Sequence, residues 1–402
     1  MSTATVLRDP AFARLWAGTT ASGLATWALP FVLALAVLDR GLTATGLGIV
    51  LAARTAGFLV AVPFGGVLAD RYSRRAVVLW AGLAAALATP AIALGLGRSI
   101  LLMSVAAAVA GAGQGACRPA FQALTAEVVD EAGRQRANAA ITLAVRATTL
   151  AAPAATALLA TVLDTWALLT GTGLLWLVAA LLPPRGRRPA PAAAPVALLG
   201  EFAEGVREAR RHPWFLAGLA ALTAVVFTGY SVTGVALPLI SRDRYGTEAV
   251  LAAALTAYTA GALAGALLMA RWRPRSQGWA ALAGLALYGC APLSLLLPVH
   301  PVLVAGAYLL AGLGIELFNV PWFTATQREV EPRLLARVSS LDFLLSYGLA
   351  PVGLAVLAPA MESFGAAPVL AVCALVCFLA PAAAALTPTA RHFRRQSGPA
   401  GC

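Results

Sequence analysis

Apolar runs of about 20 residues, long enough to cross a bilayer as a helix, recur through this whole 402-residue chain. Such runs limit the fold more than any other feature. In hydrocarbon every backbone N–H and C=O must be satisfied within the protein, so only helices and closed barrels can span. Runs of this length read as spanning helices. A chain that is 60% hydrophobic and 11% charged has too little polar surface for a soluble protein of this size. The expected fold class is therefore an all-α polytopic membrane protein with little room for a soluble domain.

The short charged segments divide the chain into twelve spans. The first six run at about 12–38, 43–69, 76–97, 99–126 and 137–162, with the sixth ending near Pro183. The last six run at about 214–240, 247–270, 279–298, 302–326, 338–360 and 364–386. Residues 1–183 and 214–387 then form two six-helix bundles, 184–213 a cytoplasmic linker, and 388–402 a cytoplasmic tail. Pro184 to Pro195 reads as extended and solvated. The alternating Glu and Arg of Leu198 to Arg211 suit an amphipathic helix, either lying on the membrane surface or serving as a charged linker without lipid contact. Asp39 and Arg40 fall in an outer loop.

The formal net charge is +12, and every basic residue is Arg. On this topology most of them lie at inner span ends and loops. That is a topology signal and places both termini in the cytoplasm; it does not describe a nucleic-acid surface. Five scattered Cys make no disulfide framework, and Cys373 and Cys377 lack companions for a metal site. His212, His300 and His392 lie in the linker, an outer loop and the tail, which gives no basis for a buried catalytic site. No phosphate-cradling loop is present. No cofactor and no enzymatic activity are expected.

The loop Gly66-Val67-Leu68-Ala69-Asp70-Arg71-Tyr72-Ser73-Arg74-Arg75 joins spans 2 and 3. Gly65 and Gly66 allow a neighbouring helix to approach closely. Asp70 sits at the edge of the hydrocarbon, where an unpaired carboxylate is costly, so a partner is expected. Arg71, Arg74 and Arg75 hold the loop on the cytoplasmic side.

The halves also repeat. Ala53-Arg54-Thr55-Ala56-Gly57 matches Ala257-Tyr258-Thr259-Ala260-Gly261, and Pro119, Phe121, Ala123, Glu127 and Val128 match Pro321, Phe323, Ala325, Glu329 and Val330. Both offsets equal about half the chain, as expected of a transporter built from parallel repeats.

This loop resembles the signature between helices 2 and 3 of the major facilitator superfamily, G-x-L-A-D-R-x-G-R-R, with Ser73 in place of the second glycine. The resemblance extends to one branch, exporters similar to macrolide-efflux proteins and the enterobactin exporter. It rests further on Arg8 to Trp16, Arg118-Pro119-Ala120, Arg136-Ala137-Asn138-Ala139 and Gly314 to Val320. It implies two pseudo-symmetric six-helix bundles and a monomer in the bacterial cytoplasmic membrane. It also implies alternating access and efflux of a drug, antibiotic, natural product or siderophore by proton antiport, a multidrug or macrolide resistance activity. The partners implied are the small-molecule substrate, protons and the bilayer. In that family the aspartate of the signature, here Asp70, holds an inner gate with helix 11, and Arg74 pairs with an acid at the end of helix 4. Glu127 is the nearest match for that acid, or else is a solvated surface residue.

Ionisable residues within spans are functional candidates, because each is costly unless paired. These are Arg54, Arg146, Glu316 and Asp342, with Arg118 shallower. Glu316 lies roughly 15 Å from the inner end of its span. The resemblance places that span against the central cavity. Glu316 is then a protonatable coupling residue, or a static partner of Arg54 or Arg146. Asp342 is a second acid that could instead join an inner gate with Arg71 or Arg337. Trp27, Gln114, Phe227, Tyr230, Tyr258, Asn319, Trp322 and Phe323 supply aromatic and amide groups suited to an amphipathic ligand. Trp16, Trp80, Trp166, Trp214, Trp272 and Trp279, at span ends, read as an interfacial belt.

The branch's features are incomplete. Ala25-Thr26-Trp27 stands where Gly-Asp-Trp is common. Gln114 and Gly115 survive from the antiporter pattern R-x-x-Q-G, but Gly111 takes the place of its arginine. Only Pro153 remains of the helix 5 pattern G-P-x-x-G-G. A proton-independent facilitator or importer, or a non-transporting receptor or scaffold, are the alternatives.

Overall fold

A computed structural model describes residues 7–38, 41–186 and 198–394. The expected outer-loop residues Asp39 and Arg40, most of the extended linker, and the end of the tail including Arg395 and Cys402 lie outside the described residues.

The regular elements among the described residues are all helices. In the first half they form α1 (Pro10–Leu38), α2 (Ala44–Arg71), α3 (Arg74–Gly95), α4 (Ile100–Val128), α5 (Arg134–Leu159) and α6 (Thr165–Leu181). The linker carries α7 (Leu198–Arg210). The second half holds α8 (Pro213–Val225), α9 (Ser231–Asp243), α10 (Ala249–Arg271), α11 (Gln277–Ala286), α12 (Cys290–Leu296), α13 (Pro301–Glu329), α14 (Leu335–Gly348), α15 (Ala350–Phe364) and α16 (Ala366–Ala385). Eleven helical stretches among the described residues are long and apolar enough to cross a membrane; α6, at 17 residues, is a shorter apolar helix. The count of twelve spans is therefore met only approximately.

Three spans are broken in ways the hydrophobic pattern does not reveal. α8 and α9 are joined by a π-helical turn, Val226–Tyr230, and α11 and α12 by a 3-10 turn, Leu287–Gly289. α14 ends at Gly348 and α15 begins at Ala350, ahead of Pro351. Proline lacks an N–H and cannot continue the ladder behind it.

The chain divides into two compact units. The first contains residues 1–206 together with 331–341, and the second contains residues 207–330 together with 342–402. Within the first, α2 packs most extensively on α4; within the second, α10 packs most extensively on α13. Glycines set both contacts. A Cβ at Gly57 would lie 2.0 Å from the Ala108 carbonyl oxygen, and one at Gly261 would lie 2.0 Å from that of Leu309. Gly111 and Gly312 face Arg54 and Tyr258 in the same way, each at 1.9 Å. No side chain fits at those distances. The small-residue stripe thus lets backbones touch, which is how helices associate where lipid leaves no hydrophobic drive between them.

Trp80, Trp166, Trp272 and Trp279 are well exposed, as interfacial side chains are, but Trp214 is not. It is fully buried, edge-on to Trp322 and packed under Phe393 of the chain's last described turn. The tail is held there by Arg328, which donates to the Phe393 carbonyl, and by Gly278 N–H, which donates to the Arg391 carbonyl. Trp214 thus belongs to the second unit's aromatic core, because the returning tail covers it.

Candidate functional site

Asp70 is the last acid of α2, and its carboxylate is turned toward residues 331–341. Its Oδ1 accepts from the backbone N–H of Ala336 at 3.2 Å, and its Oδ2 accepts from that of Arg337 at 2.9 Å. These are the second and third residues of α14, the N–H groups that a helix leaves without intrahelical partners. Asp70 therefore caps α14 from another helix, and its charge also suits the positive end of the helix dipole. Gly66, one turn earlier on α2, makes the approach possible: a Cβ there would fall 2.5 Å from the Ala336 carbonyl oxygen.

Arg74, in the first turn of α3, ties this cap to α4. Its guanidinium pairs with Asp70 at 3.3 Å and with Glu127 at 2.8 Å, and it donates to the carbonyls of Ala123 and Pro332. Arg74 and Asp70 are both buried. A buried ion pair repays its desolvation only when its remaining donors and acceptors are met, and here they are met by backbone. Ser73, which replaces the signature's second glycine, is the N-cap of α3 and accepts from Ala76 N–H. Arg75 points elsewhere and donates to the Leu181 carbonyl at 3.1 Å.

The linker helix enlarges the cluster. Glu201 on α7 meets Arg71 at 3.4 Å and Arg337 at 2.8 Å, and Glu204 also pairs with Arg337. Gly205 seats α7 against the Arg337 side chain. The acidic face of α7 is spent on arginines of the protein. Arg71 and Arg337 are thereby engaged by Glu201 and Glu204. Asp342, fully inside the second unit, accepts from Trp322 Nε1–H at 3.2 Å and from the Ser346 hydroxyl at 3.1 Å. The linker acids were missed in the sequence because their arginine partners lie 130 or more residues away, in either direction. The alternation of Glu and Arg was the one available signal.

Deeper in the first unit, Arg54 Nη2 donates to Gln114 Oε1 at 2.6 Å and to the Thr26 carbonyl at 3.2 Å. Arg118 stacks over the Phe58 ring at 5.8 Å. Arg146 is half-buried on α5, and Trp27 beside Thr26 is 36% exposed. In the second unit Glu316 is 0% exposed in mid-α13, and Asn319 Nδ2 donates to its Oε2 at 3.4 Å. Trp322 has no exposed surface. It stacks between Phe215 and Phe318, and its polar edge is used on Asp342. Phe227 and Tyr230 fall in the π-helical turn, and Tyr258 meets Tyr288 edge-on at 6.2 Å. Among the described residues no group of His, Cys, Asp and Glu could hold a metal ion.

Two helical repeats with buried charges in their spans and a charged cap at one end define a polytopic membrane transporter. The family model of the Major Facilitator Superfamily matches residues 15–354, and the chain belongs to that superfamily. Among solved structures, it is similar to the human organic anion transporter MFSD10 (TETRAN), at 15% identity and a TM-score of 0.76, over 93% of this chain and 99% of that one. It is also similar to a bacterial homologue of the iron transporter ferroportin in an outward-facing state, at 16% identity and a TM-score of 0.75, with the same coverage. These likenesses describe the fold. No curated protein sequence matches the chain significantly.

Proposed function

We propose that this chain is a secondary active exporter of hydrophobic or amphipathic small molecules, a drug, natural product or siderophore, in the bacterial cytoplasmic membrane. It works by alternating access with its termini in the cytoplasm, and it exchanges its load for protons. The observation that carries the reading is Glu316, a fully buried carboxylate in the middle of a span with an amide donor beside it. An ionised carboxylate at that depth is costly unless it is paired, and its protonated form is not. Proton occupancy and the charge of the surroundings are therefore coupled there. Asp342 is the second acid in the same unit; its indole and hydroxyl donors suit a fixed carboxylate better than a cycling one. The Asp70–Arg74–Glu127 cluster, with its cap on α14, serves as the cytoplasmic latch that is made and broken in each cycle.

The test is export from cells of amphipathic dyes of either charge and a macrolide, with and without a protonophore, for the wild type and Glu316→Gln. Protonophore-sensitive export that is abolished in Glu316→Gln is the expected result. Export that survives both the protonophore and the substitution would remove the antiport assignment, and no export of any compound would remove the exporter assignment.

A further inference from the structure

Among the described residues, the charges deep in the spans of the first unit have one sign. Asp9, Asp70, Glu127, Asp130, Glu131 and Asp164 fall at span ends or between spans, whereas Arg54, Arg118 and Arg146 fall within spans. Two of these arginines form part of an ordered group. Arg54 and Phe58 are one helical turn apart on α2, and Gln114 and Arg118 are one turn apart on α4, so each pair shares a face. The glycine contact at Gly111 brings the two faces together. Gln114 holds Arg54, and Phe58 holds Arg118. The two guanidiniums are close enough to feel each other's charge.

Both acceptors of Arg54 are neutral oxygens, and both are served by Nη2. Nε and Nη1 make no hydrogen bond among the described residues. Arg54 is only half-buried, so these donors are not sealed off. A guanidinium is always charged and presents its donors in a fixed fork that matches a planar or tetrahedral oxyanion. Here the fork is oriented by an amide, set deep in the span and left with donors to give. Gln114 cannot neutralise it. The ring of Phe58 and the half-exposed Trp27 offer apolar surface alongside.

Resting on the exporter reading, we infer that Arg54, oriented by Gln114 and supported by Arg118, binds an anionic group of the substrate. That group is a carboxylate or sulfonate on an amphipathic molecule whose apolar part rests on Phe58 and Trp27. The load is thus an amphipathic organic acid. A lipophilic cation would face two guanidiniums and is excluded on charge.

The test is equilibrium binding to the purified full-length protein in nanodiscs of three probes that share one ring: naphthaleneacetic acid, its methyl ester, and naphthylmethylamine. The acid binds about tenfold or more tightly than the ester, as expected for a charge-assisted hydrogen bond within the protein, and the amine binds least. Arg54→Gln removes the preference for the acid, whereas Arg54→Lys, which keeps the charge without the fork, retains part of it. Unliganded thermal stability of each variant reports whether it is folded, and Gln114→Leu provides a second, milder disturbance of the same guanidinium. The absence of carboxylate-dependent binding in the wild type, or an acid preference that persists in folded Arg54→Gln, overturns the inference. Binding requires no proton coupling, so this result and the loss of protonophore-sensitive export in Glu316→Gln can fail independently.

Discussion

The two units use one helical scaffold to hold opposite charges. In each, a glycine stripe presses the second helix of the repeat against the fourth: Gly57 and Gly111 in the first unit, Gly261 and Gly312 in the second. The side chains presented at those contacts differ. The first unit carries Arg54 beside the amide of Gln114. In the second, Tyr258 stands at the repeat position of Arg54, and Glu316 lies one turn past Gly312 on the packed helix. The backbone contact is retained while the charge is reversed. This teaches that packing and chemistry separate cleanly in such a repeat. The glycines fix how close the helices come, and the polar side chain that each helix presents sets the charge beside the contact.

The sharpest way to break the comparison is to attack the shared scaffold. Gly111→Val and Gly312→Val each force a branched side chain into a backbone carbonyl. Each is expected to destabilise its unit by about 3 kcal/mol or to prevent folding, as overpacking of a tight contact does. Thermal unfolding in detergent checks this, and a tolerant variant in either unit would show that the two contacts are not equivalent. A smaller effect is expected at the α14 cap. Asp70→Ala leaves two helix N–H groups and Arg74 short of an acceptor, at a cost of about 2 kcal/mol, and the same assay reads it. Asp342→Asn keeps an acceptor for Trp322 and Ser346, and a loss of only about 1 kcal/mol is expected. A larger loss there would mean that the charge of Asp342 matters to the fold. The smallest effect belongs to the linker. Glu201→Gln keeps the shape of α7 and removes one charge shared by Arg71 and Arg337, for about 1 kcal/mol or less, diminishing at high salt.

Much of the fold was legible in the chain. Runs of apolar residues, charged breaks between them, and the repeated Gly and Pro positions were enough to give an all-helical repeat protein in a membrane, because the bilayer leaves so few alternatives. The signature loop marked Asp70 and Arg74 as groups that need partners, and Glu127 lay within reach as the acid at the end of α4. Other features were not legible. The π-helical turn at Val226–Tyr230 holds Gly229, but a single glycine within an apolar run does not distinguish it from continuous helix. Trp214 reads as an interfacial residue by position and is buried among Phe215, Trp322 and a tail that returns almost 180 residues later. The contacts of Glu201 and Glu204 with Arg71 and Arg337 were hidden in a linker helix that looked merely amphipathic.

Sequence alone determined the class of protein, the membrane as its solvent, the repeat and the short set of charged residues worth examining. Each of these follows from local composition or from the high cost of polar groups in hydrocarbon. Tertiary structure alone decided the pairings: Asp70 with the N-terminus of α14, Glu201 and Glu204 with Arg337, Asp342 with Trp322, and Arg54 with Gln114. The physical reason is the reach of the forces. Hydropathy acts through residues adjacent in the chain, whereas hydrogen bonds and ion pairs act over a few ångströms in space, between positions that packing brings together from anywhere along the chain.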